Sequence, residues 1–184
     1  MQGYIPRESL IPVIINLFVM DQISKTAISG ISGTTFMTAS SALMSLMMDQ
    51  NFREPEHLTT MIERVAPFLS KRAKVIAGWG AHYAMGLVFA AVYVELWETG
   101  KIKHNLKNGL ILGFVSGLLG LVIWKGTFKA HPLPPFMRYN NYYLQRIPAH
   151  IVFAVFTTIT YKLIKDQEEK QLAGKRDTAD LAAG

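Results

Sequence analysis

Four stretches of the chain, residues 26–48, 75–94, 108–124 and 147–161, contain no Asp, Glu, Lys or Arg; they are 23, 20, 17 and 15 residues long. A helix rises about 1.5 Å per residue, so crossing about 30 Å of hydrocarbon takes about 17–25 residues. The first three runs reach that length unaided. The fourth reaches it when Lys162 and Lys165 snorkel and Leu163 and Ile164 extend the apolar stretch. This pattern predicts an all-α, polytopic membrane protein with four transmembrane helices at residues 26–48, 75–94, 108–124 and 147–164, forming a membrane domain over 26–165.

The segments outside the spans have their own signatures. Residues 1–25 hold an apolar run from Leu10 to Met20 that is too short to cross a bilayer as a helix, so an interfacial segment is expected. A cleaved signal peptide is not expected: Glu8 offsets Arg7, and Met20, Asp21 and Gln22 follow the apolar run instead of a small-residue cleavage site. Between the first two spans, Leu58, Met61, Ile62, Val65 and Leu69 recur at helical spacing among charged residues. They predict an amphipathic helix on the membrane surface, kinked or ended by Pro67. A helix packed on its own loop is the plainer alternative. The loop over 125–146 concentrates Pro132, Pro134, Pro135, Tyr139, Tyr142 and Tyr143 and is expected at the headgroup level. Residues 166–184 are polar and without aromatics, so a frayed helix ending in a flexible tail is expected.

Helix association in lipid relies on close backbone approach, which small residues permit. Gly30 and Gly33 in span one, Gly86 in span two, and Gly109, Gly113 and Gly117 in span three are the packing candidates. The last three lie four residues apart, so they stack on one helix face. Such a ridge serves a homodimer or intramolecular packing.

Spans two and four share a motif. Ala81-His82-x-x-x-Gly86 is followed by Tyr93, and Ala149-His150-x-x-x-Ala154 by Tyr161. Eleven residues make about three turns, so each His shares a face with its Tyr, about 16 Å apart. Spans two and four must also cross in the same direction, which brings His82 and His150 towards the surface carrying the 49–74 and 125–146 loops. The chain thus reads as a duplicated helical hairpin.

An ionisable side chain within a span is a functional candidate, because charge there is costly. His82, Tyr93, His150 and Tyr161 are therefore the candidate intramembrane polar site, and histidine titrates near neutral pH. Three roles are open: interhelical hydrogen bonding alone, a protonation-linked or permeation role, and bis-His haem ligation by His82 and His150. No C-x-x-C-H motif accompanies them, and no cofactor or metal is expected.

Composition narrows the classes further. Only 17% of residues are charged, and the chain holds no Cys, which removes disulfide and cysteine chemistry. The net charge of +6 is met by anionic headgroups rather than nucleic acid. P-loop, H-E-x-x-H and G-x-S-x-G motifs are missing, so no enzyme is indicated. Ten Lys and Arg lie on the side bearing the termini and nine on the other, so positive charge does not orient the chain. Basic residues directly after the last span favour both termini in the cytoplasm.

The glycine-rich first span, the A-H-x-x-x-G leading to Tyr93, the Pro132-Leu133-Pro134-Pro135 loop and the second A-H at Ala149-His150 resemble the YagU-type bacterial inner-membrane proteins over residues 25–165. That resemblance implies a four-helix protein of the bacterial inner membrane, in a group associated with acid tolerance. The leading expectation is pH-responsive transport or a channel-like role through the His/Tyr pairs, with the lipid bilayer and a homo-oligomer or larger membrane complex as partners. The alternatives are an accessory subunit docking through the Gly109, Gly113 and Gly117 ridge and a haem-binding membrane protein.

Overall fold

Uncharged runs flanked by polar punctuation become long helices. The computed structural model describes residues 7–183, with side-chain surroundings given for 21–170 and 173. Five helices follow one another: α1 (Arg7–Met48), α2 (Glu54–Val65), α3 (Lys71–Glu98), α4 (Leu106–Ala130) and α5 (Tyr139–Ala183). Their ends carry recognisable signals. Ser70 caps α3 by accepting from the Ala73 amide, and Asn105 caps α4 by accepting from the Asn108 amide. Beyond α3, Gly100 takes φ +69°, a conformation that favours glycine. Among the described residues, α3, α4 and the Tyr139–Lys170 part of α5 are long and apolar enough to cross a membrane. The inner stretch of α1 is equally long but diluted by hydroxyl residues, among them Ser29, Thr34, Thr38 and Ser41.

Helix boundaries bear on three of the expectations. No break separates residues 1–25 from the first uncharged run: α1 is continuous from Arg7, while residues 1–6 lie outside those described. The amphipathic helix is confined to Glu54–Val65, ending before Pro67. In the tail, α5 stays helical to Ala183.

The four long helices form an arc in the order α3, α1, α5, α4. Neighbours are antiparallel, as residue pairs show. Gly30 meets Ala90 and Gly86 meets Thr34 between α1 and α3; Gly33 meets Thr157 between α1 and α5; Gly109 meets Thr158 and Gly117 meets Ile147 between α4 and α5. All six packing glycines thus lie at intramolecular crossings. A Cβ at Gly113 or Gly117 would stand 2.7 Å from the backbone of Ile151 or Ile147, so α4 sits against α5 only because those side chains are missing. The ridge is consumed by α5 and is not an outward docking face.

Burial is inverted relative to a water-soluble bundle. Arg146, Ser29, Thr34, Ser41 and Thr157 are fully buried, whereas Leu43, Leu46, Ile76, Val88, Phe114 and Val122 are exposed. Helix α2 lies across one end of the arc with Glu54, Pro55, His57 and Met61 buried, so it packs on the bundle as well as facing outward through Glu63, Arg64 and Val65. Arg64 donates to the carbonyls of Leu133 and Pro134, at 2.9 and 2.6 Å, and Arg138 donates to those of Met48 and Asp49. The proline-rich connection between α4 and α5 is thereby tied to α2 and to the end of α1.

A candidate functional site: the buried Glu54, His82, Arg146 and His150 cluster

At the α2 end, one polar side chain comes from each of α2 and α3 and two from α5. Glu54 occupies the first turn of α2, His82 sits two turns into the uncharged part of α3, and Arg146 and His150 lie one turn apart on the same face of α5. None exceeds 5% exposure. Arg146 bonds the Glu54 carboxylate and the Gln145 side-chain carbonyl, donates to the Phe52 carbonyl at 2.9 Å, and stacks over the Tyr142 ring at 4.2 Å. Gln145 in turn donates to Ser41 on α1 at 3.1 Å. Buried guanidinium and carboxylate groups persist when each is met by opposite charge and hydrogen bonds, as here.

Burial alone would push the Glu54 carboxyl upward, but the positive charge of Arg146 and the neighbouring His82 and His150 hold it below its ordinary value of 4.5. His57, also on α2, is held below its ordinary 6.5, chiefly by burial.

His82 has two different neighbours. Its Nε2 lies 2.8 Å from the Thr38 hydroxyl, and its Nδ1 lies 3.2 Å from Glu54 Oε2. Thr38 gives its own hydrogen to the Thr34 carbonyl at 2.7 Å. Nε2 therefore donates to Thr38, and Nδ1 faces the carboxylate. With a proton on Nδ1 the contact is an ion pair; without it, two acceptors confront each other. Glu54 Oε2 has no aligned hydrogen-bond donor, so the contact is sensitive to that one proton.

His150 is different again. Its Nδ1 is buried without a partner, and its ring stands edge-on to Phe89 at 5.0 Å, with Nε2 towards Gly120. Glu54, His82 and His150 all line a cavity of about 160 Å³ whose remaining wall is mainly apolar, including Met37, Phe89, Trp124 and Phe153.

Of the four residues expected in the site, the structure brings His82 and His150 to one cavity and places Tyr93 and Tyr161 elsewhere. Tyr93 shares a hydrogen bond with Ser116 on α4 at 2.7 Å, and Tyr161 donates to Glu98 at 2.8 Å. Both tyrosines are buried towards the opposite end, in the core with Trp97. Glu54 and Arg146 were not foreseen, because both fall in segments read as loops. The spacing Arg146-x-x-x-His150 was the available signal, since it puts the two on one helical face.

The residues do not fit a bis-His haem. Both nitrogens of His82 already face polar groups, and the cavity is well below the roughly 300–1,000 Å³ typical of sites for drug-sized ligands. No protein-family model, curated protein or solved structure matches the chain.

Proposed function

We propose that this protein is a four-span integral membrane protein with a protonation-responsive transport or channel-like role, centred on the Glu54, His82, Arg146 and His150 cluster. The observation that carries the reading is His82 held between Thr38 and an unaligned oxygen of Glu54 beside a cavity. A single proton there changes attraction into repulsion, and α2, which supplies Glu54, is a separate short helix able to respond. The groups facing His82 are Glu54 from α2, Thr38 from α1 and Tyr83 on its own helix, with Arg146 and His150 from α5 around the same carboxylate.

The membrane reading rests on the three apolar helices and the inverted burial. Helix α1 is assigned as the fourth span because Ile28, Ile31, Phe36, Leu43 and Leu46 are exposed along its outer face while Ser29, Thr34, Thr38 and Ser41 are buried. Exposed Phe68 and Phe136 at the α2 end suit an interfacial position. Duplication of a hairpin is supported by two correspondences. The small residue four after each histidine meets the preceding long helix, Gly86 against Thr34 and Ala154 against Gly113, and each tyrosine bonds to the other hairpin. The resemblance to YagU-type proteins favours the bacterial inner membrane, with both termini cytoplasmic.

The test is flux in proteoliposomes carrying an entrapped pH-sensitive dye. Wild-type protein should show proton or solute flux that changes between about pH 5 and 8, the range in which histidine titrates. Folded His82→Gln/His150→Gln protein should lose that dependence. An unchanged pH profile in the double variant removes the reading.

A further inference from the structure

Helices α3 and α4 form the two ends of the arc and are, among the described residues, the one pair of long helices successive in the chain without extended contact. They are joined by the Tyr93–Ser116 hydrogen bond and leave a gap towards His82 and Gly120, both of which line the cavity. The cavity fills that gap. Its α3 wall includes Ala81 and Met85, both exposed on the outer surface, and its α4 wall includes Ile123 and Thr127, both partly exposed. The flanking surface is apolar, with Ile76 and Val88 on α3 and Leu119 and Val122 on α4. The mouth therefore opens sideways, towards the hydrocarbon of the proposed membrane.

Three properties define what fits. The volume of about 160 Å³ is that of one six-membered ring, since an apolar cavity of about 150 Å³ accepts benzene. The wall carries the aromatic rings of Phe89, Trp124 and Phe153. The floor presents the His150 ring, 5% exposed, whose Nδ1 is buried without a partner and whose Nε2 makes no hydrogen bond among the described residues. A buried polar group without a partner calls for one. A hydroxyl can donate or accept, so it can pair with one ring nitrogen of neutral imidazole in either tautomer. Arg146 already neutralises Glu54, so an organic cation gains little.

We infer that the gap between α3 and α4 is a binding site for the ring of a lipid-soluble phenol or hydroquinone, entered from the bilayer, with the ring hydroxyl on His150 and the alkyl tail left in lipid. The inference rests on the membrane placement proposed above but not on proton movement.

Tritiated 4-decylphenol and its methyl ether, 4-decylanisole, provide the test, partitioned into nanodiscs with the full-length protein and into empty nanodiscs. The phenol should show saturable excess binding at least tenfold tighter than the ether, which cannot donate. That factor corresponds to about 1.4 kcal/mol, the scale of one hydrogen bond. His150→Phe should bring the phenol to the level of the ether, and Ala81→Trp, an exposed substitution at the mouth, should remove both. Equal binding of phenol and ether to the native protein, or no saturable excess over empty nanodiscs, overturns the inference without needing any variant to fold. Retained preference in folded His150→Phe overturns it as well. Flux that ignores pH while the phenol preference persists removes the protonation reading alone.

Discussion

The two ends of the helix bundle are both built on buried charge, yet they are finished differently. At the end opposite α2, Lys25 is 4% exposed and contacts Asp21, Glu98 and Glu168, at 2.5, 3.1 and 3.1 Å. Glu98 also takes the Tyr161 hydroxyl, and Lys165 pairs with Glu168 at 3.3 Å. Each of those charges has opposite charge around it. At the α2 end, Arg146 and Glu54 are equally buried, but one carboxylate oxygen lacks an aligned donor, one imidazole lacks any partner, and a cavity adjoins both. A count of ionisable groups would not separate these ends. Unpaired atoms beside open space do, and that marks the α2 end as the place where a proton or a ligand changes the energy.

The largest effect is expected from Arg146→Leu. Removing one member of a buried ion pair strands the other, at a cost of about 3–5 kcal/mol. Thermal unfolding in mild detergent should show that loss. Glu54→Leu combined with Arg146→Leu should recover most of it, because removal of both charges abolishes the burial penalty. Lys25→Met at the other end should cost less, since Glu98 keeps the Tyr161 hydroxyl and the neighbouring Lys165. If Lys25→Met proves the more damaging, the contrast between the ends fails.

Acid should act next, and mainly through Glu54. Its carboxyl is depressed in the folded protein, so its contribution to stability is fully present above about pH 4.5 and is lost as pH falls through the lower folded value. His57 adds in the same direction but earlier: with its folded value below 6.5, its contribution is full above that pH and declines beneath it. The unfolding midpoint followed from pH 7 to 3 should therefore fall in two stages. Glu54→Gln should flatten the lower stage and leave the upper one.

The long helices and their packing glycines were legible in the sequence, whereas the order in which the helices pack was not. The four uncharged runs fall inside four long helices, and Gly30, Gly33, Gly86, Gly109, Gly113 and Gly117 all lie at crossings, because lack of charge and lack of a side chain are local properties. The placement of His82 and His150 at the same end of the bundle also followed, from the alternating direction of successive long helices. Glu54 did not, because its burial depends on α2 folding over the bundle end, which no local pattern in residues 49–74 records. Arg146 was misplaced by its charge: a basic residue beside an apolar run ordinarily marks the edge of a span, and here it is fully buried and held by Glu54 and Phe52. Tyr93 and Tyr161 share a helix face with their histidines as expected, but three turns carry them to partners on other helices.

Two glycines on α4 test whether the gap beside His150 is real space. At Gly117 a Cβ would stand 2.7 Å from the Ile147 Cα, a backbone atom that cannot yield without α4 moving off α5, so Gly117→Ala should cost about 1–3 kcal/mol. At Gly120 the obstacle is the His150 ring, whose Nε2 would be 2.6 Å away, and that side chain borders the cavity. Gly120→Ala should therefore unfold at a temperature close to wild type while altering phenol binding. Similar destabilisation by both would mean that His150 has nowhere to go.

The smallest effect concerns the tyrosines. Tyr93 and Ser116 form a neutral pair, and Ser116 retains a bond to the Gly113 carbonyl at 3.1 Å when the tyrosine hydroxyl is removed. Tyr93→Phe should thus cost only about 0.5–1.5 kcal/mol, readable as a small drop in unfolding midpoint. It should leave the pH profile of flux in place, since the hydroxyl lies outside the cavity and contacts neither Glu54 nor either histidine. His82→Gln/His150→Gln should show the reverse balance. A Tyr93→Phe protein that folds well but loses its pH response would restore the tyrosine to the site and erase the distinction between the bundle's two ends.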